Sequence, residues 1–420
     1  MNVIHSPGGV PIAGYRWLAG ALALAGLWLG ACQRRAMVPA EPAAIAPPAG
    51  YQGLLDEGIE RGFPAFALWV RRGEEEPWSA AAGLADVTTG EAATTGHAFH
   101  LASITKLFTA VAALRLTDAG KLSLDARLTD VLAADVVGAL PHAAEITVGM
   151  LLDHTSGLYS TNNDPDYIRA WLGDETPAAW SWTPRDFIDL AARREPWGLP
   201  GEATRYGDLN YILLGLIVER AAGRPLAEHV RRTLFEPLGM ESAYYFSRLE
   251  PGAAPPSPTV RGYFRLSEEL RPLIAEEKFP AAGQDLLDTT LAGERIDGAA
   301  AVVATAVDLG RFGEAVFRGE LLSVEGRRRL LAAAEGLAGA PVGTERQAIL
   351  HAYRGPYGVL LTAEGDGPGG SHTLLAYHPE SDTLVAALVN IFGLGGEAEF
   401  LVDEVAGRVL AEVRQARSPT

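Results

Sequence analysis

Residues 99–111 read Phe-His-Leu-Ala-Ser-Ile-Thr-Lys-Leu-Phe-Thr-Ala-Val and are the most informative stretch of the chain. Apolar residues recur here at helical spacing and Gly120 stops the pattern, which predicts a helix over residues 103–119. Ser103 and Lys106 are three positions apart, so their hydroxyl and amine share one helix face. The amino terminus of such a helix also offers unpaired N–H groups that favour developing negative charge. The stretch therefore predicts a nucleophilic serine with an amine beside it.

Lys106 is one of three lysines among 35 basic residues, the others being Lys121 and Lys278. Serine is a weak nucleophile, and a desolvated lysine can lose its proton and accept another, which arginine cannot do. The alternative is a solvated lysine on a helix surface, but Leu107 and its apolar neighbours indicate a buried helix. A Ser-x-x-Lys spacing occurs by chance about once in several hundred residues, so further residues have to support it.

The composition of the 420 residues excludes several classes of protein. A hydrophobic content of 48 % can fill the core of one large domain or two ordinary ones, which excludes a disordered or fibrous chain. The net charge of −17 argues against nucleic acid as a partner, because phosphate binding needs clustered Lys and Arg. The nine histidines and single cysteine show no metal-ligand spacing, so we expect neither a metal nor a cofactor.

The amino-terminal region resembles a bacterial lipoprotein signal. Residues 17–31 carry no charge, follow Arg16 and end in Leu-Gly-Ala before Cys32, as in a lipobox. This resemblance predicts a signal peptide over residues 1–31 and lipidation of Cys32; the alternatives are an uncleaved anchor helix or a chance cysteine. Gln33 after the cysteine then favours the outer membrane, facing the periplasm, within a bacterial cell envelope.

Residues 32–50 are predicted to be a tether between the membrane anchor and the domain. Four of the ten residues 39–48 are proline and four are alanine, a composition that favours extended, weakly structured chain. Residues 51–416 then form the single remaining domain, since they contain no internal repeat and no second linker.

The domain is predicted to be α+β, an α/β sandwich whose antiparallel sheet is built from both chain ends and flanked by helices. Short connections between the carboxy-terminal runs indicate antiparallel pairing. A mainly helical region, about residues 121–295, is inserted between the two ends. Strands are expected at residues 66–72, 78–82, 357–362, 373–377 and 383–390, and further helices at 302–317 and 397–416.

Three blocks together resemble the serine β-lactamase and D,D-peptidase family, most closely its class C β-lactamase and esterase branch. Residues 99–111 match the active-serine helix, and the agreement continues through residues 120–125. Residues 146–158 supply the second block; residues 200–202 and 206–215, with 235–240, supply the third. The resemblance spans roughly residues 55–415 and implies a β-lactamase/transpeptidase-like fold.

The resemblance also implies roles for particular residues. Ser103 would be acylated, Lys106 would help to remove its proton, and Tyr206 would act as partner base. A phenol titrates near pH 10, so a nearby ammonium such as that of Lys106 has to stabilise its anion; the alternative is a core tyrosine. The oxyanion hole would combine the Ser103 N–H with an N–H from the third carboxy-terminal strand.

Two departures from the family pattern concern substrate binding. Asp208 stands where asparagine is usual, and an ionised carboxylate cannot donate to a substrate carbonyl. Glu364 stands where a cation or imidazole is usual, in a stretch that includes Asp366 and Gly367. We assign these residues to substrate binding and expect a substrate without the usual carboxylate contact, or lost activity. The match of residues 365–370 to a dinucleotide fingerprint is interpreted as a hairpin loop.

Tryptophans are concentrated in residues 171–197, which include Trp180 and Trp182. We expect these two to form an aromatic wall for an apolar substrate group. The alternative is a self-packed lid without substrate contact.

The sequence therefore predicts an exported, lipid-anchored serine hydrolase that acts through an acyl-enzyme on Ser103. Its partners would be a small ester, peptide or peptidoglycan-like substrate and, through the anchor, a membrane. Esters or D-residue peptides and amides are favoured over β-lactams. The alternative is a catalytically silent envelope protein that keeps the fold for binding.

Overall fold

The computed structural model describes most of the chain from Gly50 onward. The predicted signal peptide, Cys32, nearly all of the predicted tether and Trp180 lie outside the described residues. The described residues are 50–162, 164–167, 182–246, 254–266, 279, 281–283, 285–290, 296–319, 321–367, 369–393 and 400–417.

Helices and strands within these ranges are numbered in chain order. The helices are α1 Gly50–Glu60, α2 Thr105–Asp118, α3 Leu128–Val131, α4 Ala134–Val137, α5 Val148–Leu152, α6 Pro184–Ala192, α7 Asp208–Ala222, α8 Leu226–Val230, α9 Ala306–Phe317, α10 Val324–Leu330 and α11 Gly407–Arg417. The strands are β1 Ala65–Arg72, β2 Trp78–Asp86, β3 Glu91–Ala92, β4 Phe99–His100, β5 Tyr244–Tyr245, β6 Tyr263–Arg265, β7 Leu286–Asp288, β8 Val302–Ala304, β9 Glu345–Gln347, β10 His351–Gly355, β11 Gly358–Gly367, β12 Ser371–His378, β13 Thr383–Val389 and β14 Ile391–Phe392.

The main sheet has eight strands in the order β3-β2-β1-β13-β12-β11-β10-β9, and neighbouring strands are antiparallel. The amino-terminal β1 pairs with the carboxy-terminal β13, so that Leu68 lies opposite Ala387. The prediction of an antiparallel sheet built from both chain ends is therefore confirmed. Two three-stranded sheets, β14-β6-β7 and β4-β8-β5, lie beside it.

Strand β1 shows how both faces of the sheet are covered. Its side chains alternate, so that Ala67 and Trp69 enter the core that contains α2, α7 and α9. Phe66 and Leu68 enter a second core against α1 and the π-helical turn at Phe400–Ala406. A strand buried on both faces has to be apolar throughout, which explains the continuous apolar run of β1.

One glycine sets how closely helix α9 approaches the sheet. A Cβ atom at Gly310 would lie 2.4 Å from the nearest ring atom of Trp69, closer than real contacts allow. The indole of β1 therefore packs directly on the backbone of α9, which an alanine at position 310 would prevent.

The expectation of a helix over residues 302–317 is wrong at its start. Residues Val302–Ala304 form β8, and α9 begins only at Ala306. Thr305 caps the helix, its side chain accepting from the Asp308 N–H at 3.0 Å. The β-branched pair Val302-Val303 before a threonine cap carries the signal that separates strand from helix.

The glycine-rich stretch 365–370 is also only partly a loop. Strand β11 continues from Gly358 through Gly367, so that Gly365 pairs with Thr373 of β12. Strands β9 and β10 lie beyond β11 and are absent from the sequence-based expectations, because both are short and polar.

The described part of residues 121–295 contains the 15-residue helix α7, the shorter helices α3–α6 and α8, and three short strands, β5–β7. The predicted carboxy-terminal helix begins, in its described part, with the π-helical turn and continues as α11. Within the described ranges, no helix is both long and apolar enough to cross a bilayer.

Candidate active site

Ser103 lies on a strained turn just ahead of α2. The predicted helix 103–119 begins as a 3₁₀ turn, Ala102–Ile104, and becomes α-helical at Thr105. Ala102 has a φ of +43°, a left-handed conformation that alanine rarely adopts. Strain of this kind persists only where the surrounding structure enforces it, so the turn that presents Ser103 is held from outside.

The first residue of β8 and the segment before it supply this support. The Thr105 side chain accepts from the N–H groups of Ala301 and Val302 at 3.0 and 2.9 Å. Thr109, one helical turn later, donates to the Gly298 carbonyl at 2.8 Å. These buried contacts fix the start of α2 and therefore the position of Ser103.

The structure brings together the three residues predicted to be catalytic. Lys106 Nζ lies 2.9 Å from Ser103 Oγ, and the Tyr206 hydroxyl lies 2.8 Å from the same oxygen. Lys106 Nζ is also 4.9 Å from the centre of the Tyr206 ring. Two groups able to exchange protons thus contact one serine, the geometry that activates a nucleophile.

Lys106 is buried and ion-paired. Its Nζ lies 2.6 Å from Oδ1 of Asp208 and 3.3 Å from the Ala299 carbonyl oxygen. Burial alone would lower the pKa of the Lys106 ammonium, but Asp208 and Tyr206 outweigh burial and raise this pKa above its ordinary value. The ammonium form is therefore the resting state of Lys106.

Asp208 was expected to bind substrate, but it lies behind Lys106 and is only 3 % exposed. Its Oδ2 accepts from the Asn162 side-chain amide at 2.6 Å, and its N–H donates to Asn162 Oδ1 at 2.9 Å. Asn162 lines the cavity over Ser103, whereas Asp208 does not. The sequence alone did not point to Asn162. Only its position four residues after the second matched block, 146–158, could have drawn attention to it.

His154 holds the loop that carries Tyr206. Its Nδ1 accepts from the Gly207 N–H at 3.3 Å, and its ring centre lies 4.6 Å from that of Tyr206. Burial, and then the Lys106 charge, lower the pKa of His154 to about 3. The imidazole is therefore neutral. It packs against Tyr206 and fixes the neighbouring backbone without adding a charge to the site.

A cavity of about 400 Å³ opens over Ser103. One side, here called the helical wall, contains Ser103, Lys106, Tyr206 and Asn162. The opposite side, here called the strand wall, contains Glu345, Arg346, His351, Thr362, Glu364 and Asp366. A cavity of this size accepts a small molecule.

The strand wall carries carboxylates. Glu364 Oε1 accepts from the hydroxyls of Tyr353 and Thr362 at 3.2 and 3.0 Å. Asp366 is paired with the buried His372. The acid predicted at the third motif thus faces the cavity and is oriented by hydroxyl donors.

Strand β11, and not the third carboxy-terminal strand, adjoins the turn that carries Ser103. A Cβ at Gly365 would lie 2.2 Å from the Leu101 carbonyl oxygen, so only glycine permits this approach. Strand β12 also contacts this turn, since the Thr373 hydroxyl donates to the Leu101 carbonyl oxygen at 3.2 Å. The expectation that β13 supplies the second oxyanion donor is wrong, because β13 lies one strand further away, beyond β12. Gly367 ends β11 and lines a small cleft with Ala102 beside the main cavity.

Trp182 packs against its own neighbours. Its ring lies 5.3 Å from that of Tyr167 and 5.1 Å from that of Phe187 on α6. It is absent from the lining of the cavity, whereas Trp180 lies outside the described residues.

Comparison with known proteins places this site in a family. The Beta-lactamase family model matches residues 49–407. Penicillin-binding protein 4 of Amycolatopsis lactamdurans is 33 % identical over 163 residues, which are 39 % of this chain and 40 % of that protein. Esterase EstB of Burkholderia gladioli is 36 % identical over 193 residues, which are 44 % of this chain and 47 % of the esterase. Each match spans less than half of the relative.

A solved structure agrees over a longer stretch. The D-amino acid amidase of Ochrobactrum anthropi SV3 superposes with a TM-score of 0.71 at 24 % identity, covering 87 % of this chain and 98 % of the amidase. This likeness confirms the fold. Because the family model spans most of the sequence, the chain belongs to the Beta-lactamase family.

Proposed function

We propose that this protein is a serine hydrolase that forms an acyl-enzyme on Ser103 and acts on esters or on D-residue peptides and amides. The observation that carries the proposal is the joint contact of Lys106 and Tyr206 with Ser103 Oγ, at 2.9 and 2.8 Å, on the floor of a cavity. A serine used only for structure does not need two proton-exchanging partners.

The chemistry proceeds in two balanced halves. Tyr206 acts as a phenolate that the Lys106 ammonium stabilises: Ser103 Oγ attacks the substrate carbonyl and gives its proton to this phenolate. The phenol so formed then protonates the leaving group as the bond from the carbonyl carbon to that group breaks. Water attacks the resulting ester of Ser103, loses a proton along the same path and returns the serine hydroxyl. The Ser103 N–H, within the 3₁₀ turn Ala102–Ile104, would stabilise the oxyanion.

The relatives support this reaction class without fixing the substrate. Among them are an esterase, a D-amino acid amidase and penicillin-binding proteins. By their names, these proteins act on esters, act on amides or bind penicillin.

The strand wall favours substrates without a carboxylate. Glu364 and Asp366 would repel a substrate anion where the family pattern has a cation or imidazole. The cation and imidazole that line this wall have partners of their own, since His351 lies 3.3 Å from Glu345 and Arg346 donates to the Glu335 carbonyl oxygen. This is the reason why we place β-lactams behind esters and amides, since penicillins carry a carboxylate.

The same observation supports a second candidate, a catalytically silent protein that binds a ligand in the cavity. The replacement of the usual third motif by Glu364 favours it. The Ser103, Lys106 and Tyr206 contacts oppose it, because a binding protein would not need them.

We also propose that the protein is lipid-anchored through Cys32 in a bacterial cell envelope, most consistent with the outer membrane. The uncharged residues 17–31, which end in Leu-Gly-Ala before Cys32, and Gln33 after the cysteine support this assignment. Radiolabelled palmitate should be incorporated into the full chain in cells and lost in Cys32→Ala. Equal labelling of both proteins would contradict the anchor.

Intact-mass analysis of the purified full-length protein tests the hydrolase. The protein is exposed separately to a fluorophosphonate and to a penicillin, with Ser103→Ala as the variant and Ser79→Ala, on the exposed face of β2, as the matched control. We expect one fluorophosphonate adduct on the parent and on Ser79→Ala, and none on Ser103→Ala. A folded parent that gives no adduct with either reagent would make the binding protein the better interpretation.

A further inference from the structure

The hairpin formed by β9 and β10 borders the cavity over Ser103 but takes no part in the proposed chemistry. Its two strands are joined by residues 348–350, here called the hairpin tip. Residues 345–349 all line the cavity, and so does His351. Among the described residues, no other uninterrupted stretch contributes so much of the lining. The hairpin therefore shapes the space that a substrate can occupy.

The register of β10 fixes where the hairpin tip lies along β11. Strand β10 pairs with β11 as far as His351, which lies opposite Thr362. Beyond Thr362, β11 pairs with β12 alone among the described strands. The outer edge of residues 363–367 thus has no strand beside it, and the hairpin tip lies where this unpaired edge begins.

The same edge of β11 leads to the serine. Gly365 lies against the Leu101 carbonyl oxygen, at the turn that presents Ser103. Thr362 comes three residues before Gly365, which is about 10 Å along an extended strand. A substrate group that runs from the serine along β11 in this direction therefore has about 10 Å before it meets the hairpin.

The hairpin tip is apolar where it meets the cavity. Ala348 and Ile349 line the cavity from the tip, and Ala363 lines it from β11. The cation and imidazole of the same hairpin have the partners named above, and these partners do not belong to the tip. This end of the cavity is thus suited to a short, uncharged, apolar group.

The hairpin tip is held in place from two sides. Leu350 is only 1 % exposed and belongs to the main hydrophobic core. The Ala348 N–H donates to the Leu350 carbonyl oxygen at 3.0 Å, which closes the tip. At the base of the hairpin, the Arg354 N–H donates to the Thr344 carbonyl oxygen at 2.9 Å. Displacing the tip would expose Leu350 to water, so the hairpin is a fixed boundary of the cavity.

We propose that the hairpin tip is a steric stop, which limits the length of the substrate group on one side of the scissile carbonyl. Ile349 is the specificity-determining residue, because it is the largest side chain of the tip that lines the cavity. This inference rests on the proposed hydrolase function and deepens it. An internal bond of a polymer has chain on both sides, so the stop restricts the enzyme to small esters and amides and to the ends of peptides.

Stiff aryl esters test the stop, because a straight ring system cannot bend out of the cavity. Phenyl acetate and 4-biphenylyl acetate form one pair, in which the leaving group is lengthened. The p-nitrophenyl esters of benzoate and 4-phenylbenzoate form the other, in which the acyl group is lengthened. In one of the two pairs, the parent protein should disfavour the longer ester by about tenfold or more in kcat/KM. Nearly equal values within both pairs would overturn the proposal.

Two opposite changes at the hairpin tip assign the effect to it. Ile349→Ala should relieve the discrimination in that pair by about tenfold, whereas Ala348→Leu, which adds bulk, should increase it. Val342→Ala is the matched control, since Val342 is 51 % exposed and does not line the cavity. It should keep the parent ratios. Unchanged ratios in both tip variants, or equal changes in both ester pairs, would refute the stop.

Binding to Ser103→Ala separates this inference from the proposed hydrolase. Titration calorimetry measures the affinity of this variant for the same four esters, with and without Ile349→Ala. If the parent hydrolyses none of the esters, but Ile349→Ala raises the affinity for the longer ester of one pair only, the hydrolase fails and the stop stands. If the parent hydrolyses the esters at rates that depend neither on ring length nor on residue 349, the stop fails and the hydrolase stands.

Discussion

The helical wall and the strand wall of the cavity treat charge in opposite ways. On the helical wall the cation of Lys106 meets a carboxylate at 2.6 Å, and no net charge faces the substrate from this pair. On the strand wall Glu364 and Asp366 bring carboxylates to the cavity, oriented by hydroxyl and imidazole partners. The contrast teaches that one wall is organised to move a proton, whereas the other sorts substrates by charge.

The largest expected effect comes from removing the nucleophile of the helical wall. Ser103→Ala should lower kcat/KM for p-nitrophenyl acetate by about 10⁴-fold, because the covalent path is lost. Ser79→Ala, remote from the cavity, should retain the parent rate. If the activity of Ser103→Ala were within tenfold of the parent, the nucleophile would have to lie elsewhere. The helical wall would then not be the catalytic wall.

The proton acceptor of the same wall should give the next effect. Tyr206→Phe removes the oxygen that lies 2.8 Å from Ser103 and keeps the ring that packs on His154. We expect kcat to fall by about 10²–10⁴-fold with thermal stability preserved. The control is Tyr244→Phe, whose hydroxyl contacts Thr259 away from the cavity. A kcat within threefold of the parent would remove Tyr206 from the proton path.

Adding a methyl group at Gly365 tests the close approach of β11 to the turn that carries Ser103. In Gly365→Ala the added Cβ would collide with the Leu101 carbonyl and push β11 away from the turn of Ser103. We expect a loss of about 1–3 kcal/mol in the free energy of unfolding, measured with urea, and a matching fall in kcat/KM. Gly339→Ala, where the added Cβ meets open space, is the matched control. A fully active and fully stable Gly365→Ala would show that the approach of β11 is not needed.

The smallest expected effect concerns selectivity of the strand wall. Glu364→Gln should raise kcat/KM for a carboxylate-bearing ester, relative to its neutral isostere, by roughly 10-fold, since one repulsive charge is removed. Glu60→Gln, at the exposed end of α1, should leave this ratio unchanged. An unchanged ratio in Glu364→Gln as well would assign the charge preference to another residue.

The residues of the site also differ in how well the sequence alone could predict them. Ser103 and Lys106 were found because the period of a helix fixes which side chains meet three positions apart. Tyr206 was found only through the resemblance to a family, since it comes from a loop a hundred residues further along. Asn162 was missed, because its contact with Asp208 depends on how two remote segments pack.

The sheet shows a similar limit. Strands β1, β2, β12, β13 and the first half of β11 were predicted from their apolar runs, whereas the short and polar β9 and β10 carry no such signal. The expected loop at Gly365 is a strand because a neighbouring turn demands close approach there, which a local pattern of glycines does not reveal. The role assigned to β13 was wrong for a related reason, since strand order depends on the whole sheet.

The pairing of β1 with β13 has a consequence for the order in which this protein can fold. The Ala65 N–H donates to the Asn390 side chain across 325 residues of sequence. Contacts of such long range are slow to form, because the intervening chain has to be closed into a loop. During synthesis, helix α2 with Ser103 therefore leaves the ribosome long before β11 and β13 exist to cover it. The nascent chain exposes an incomplete hydrophobic core until β11–β13 are made, and the cavity over Ser103 is assembled only then.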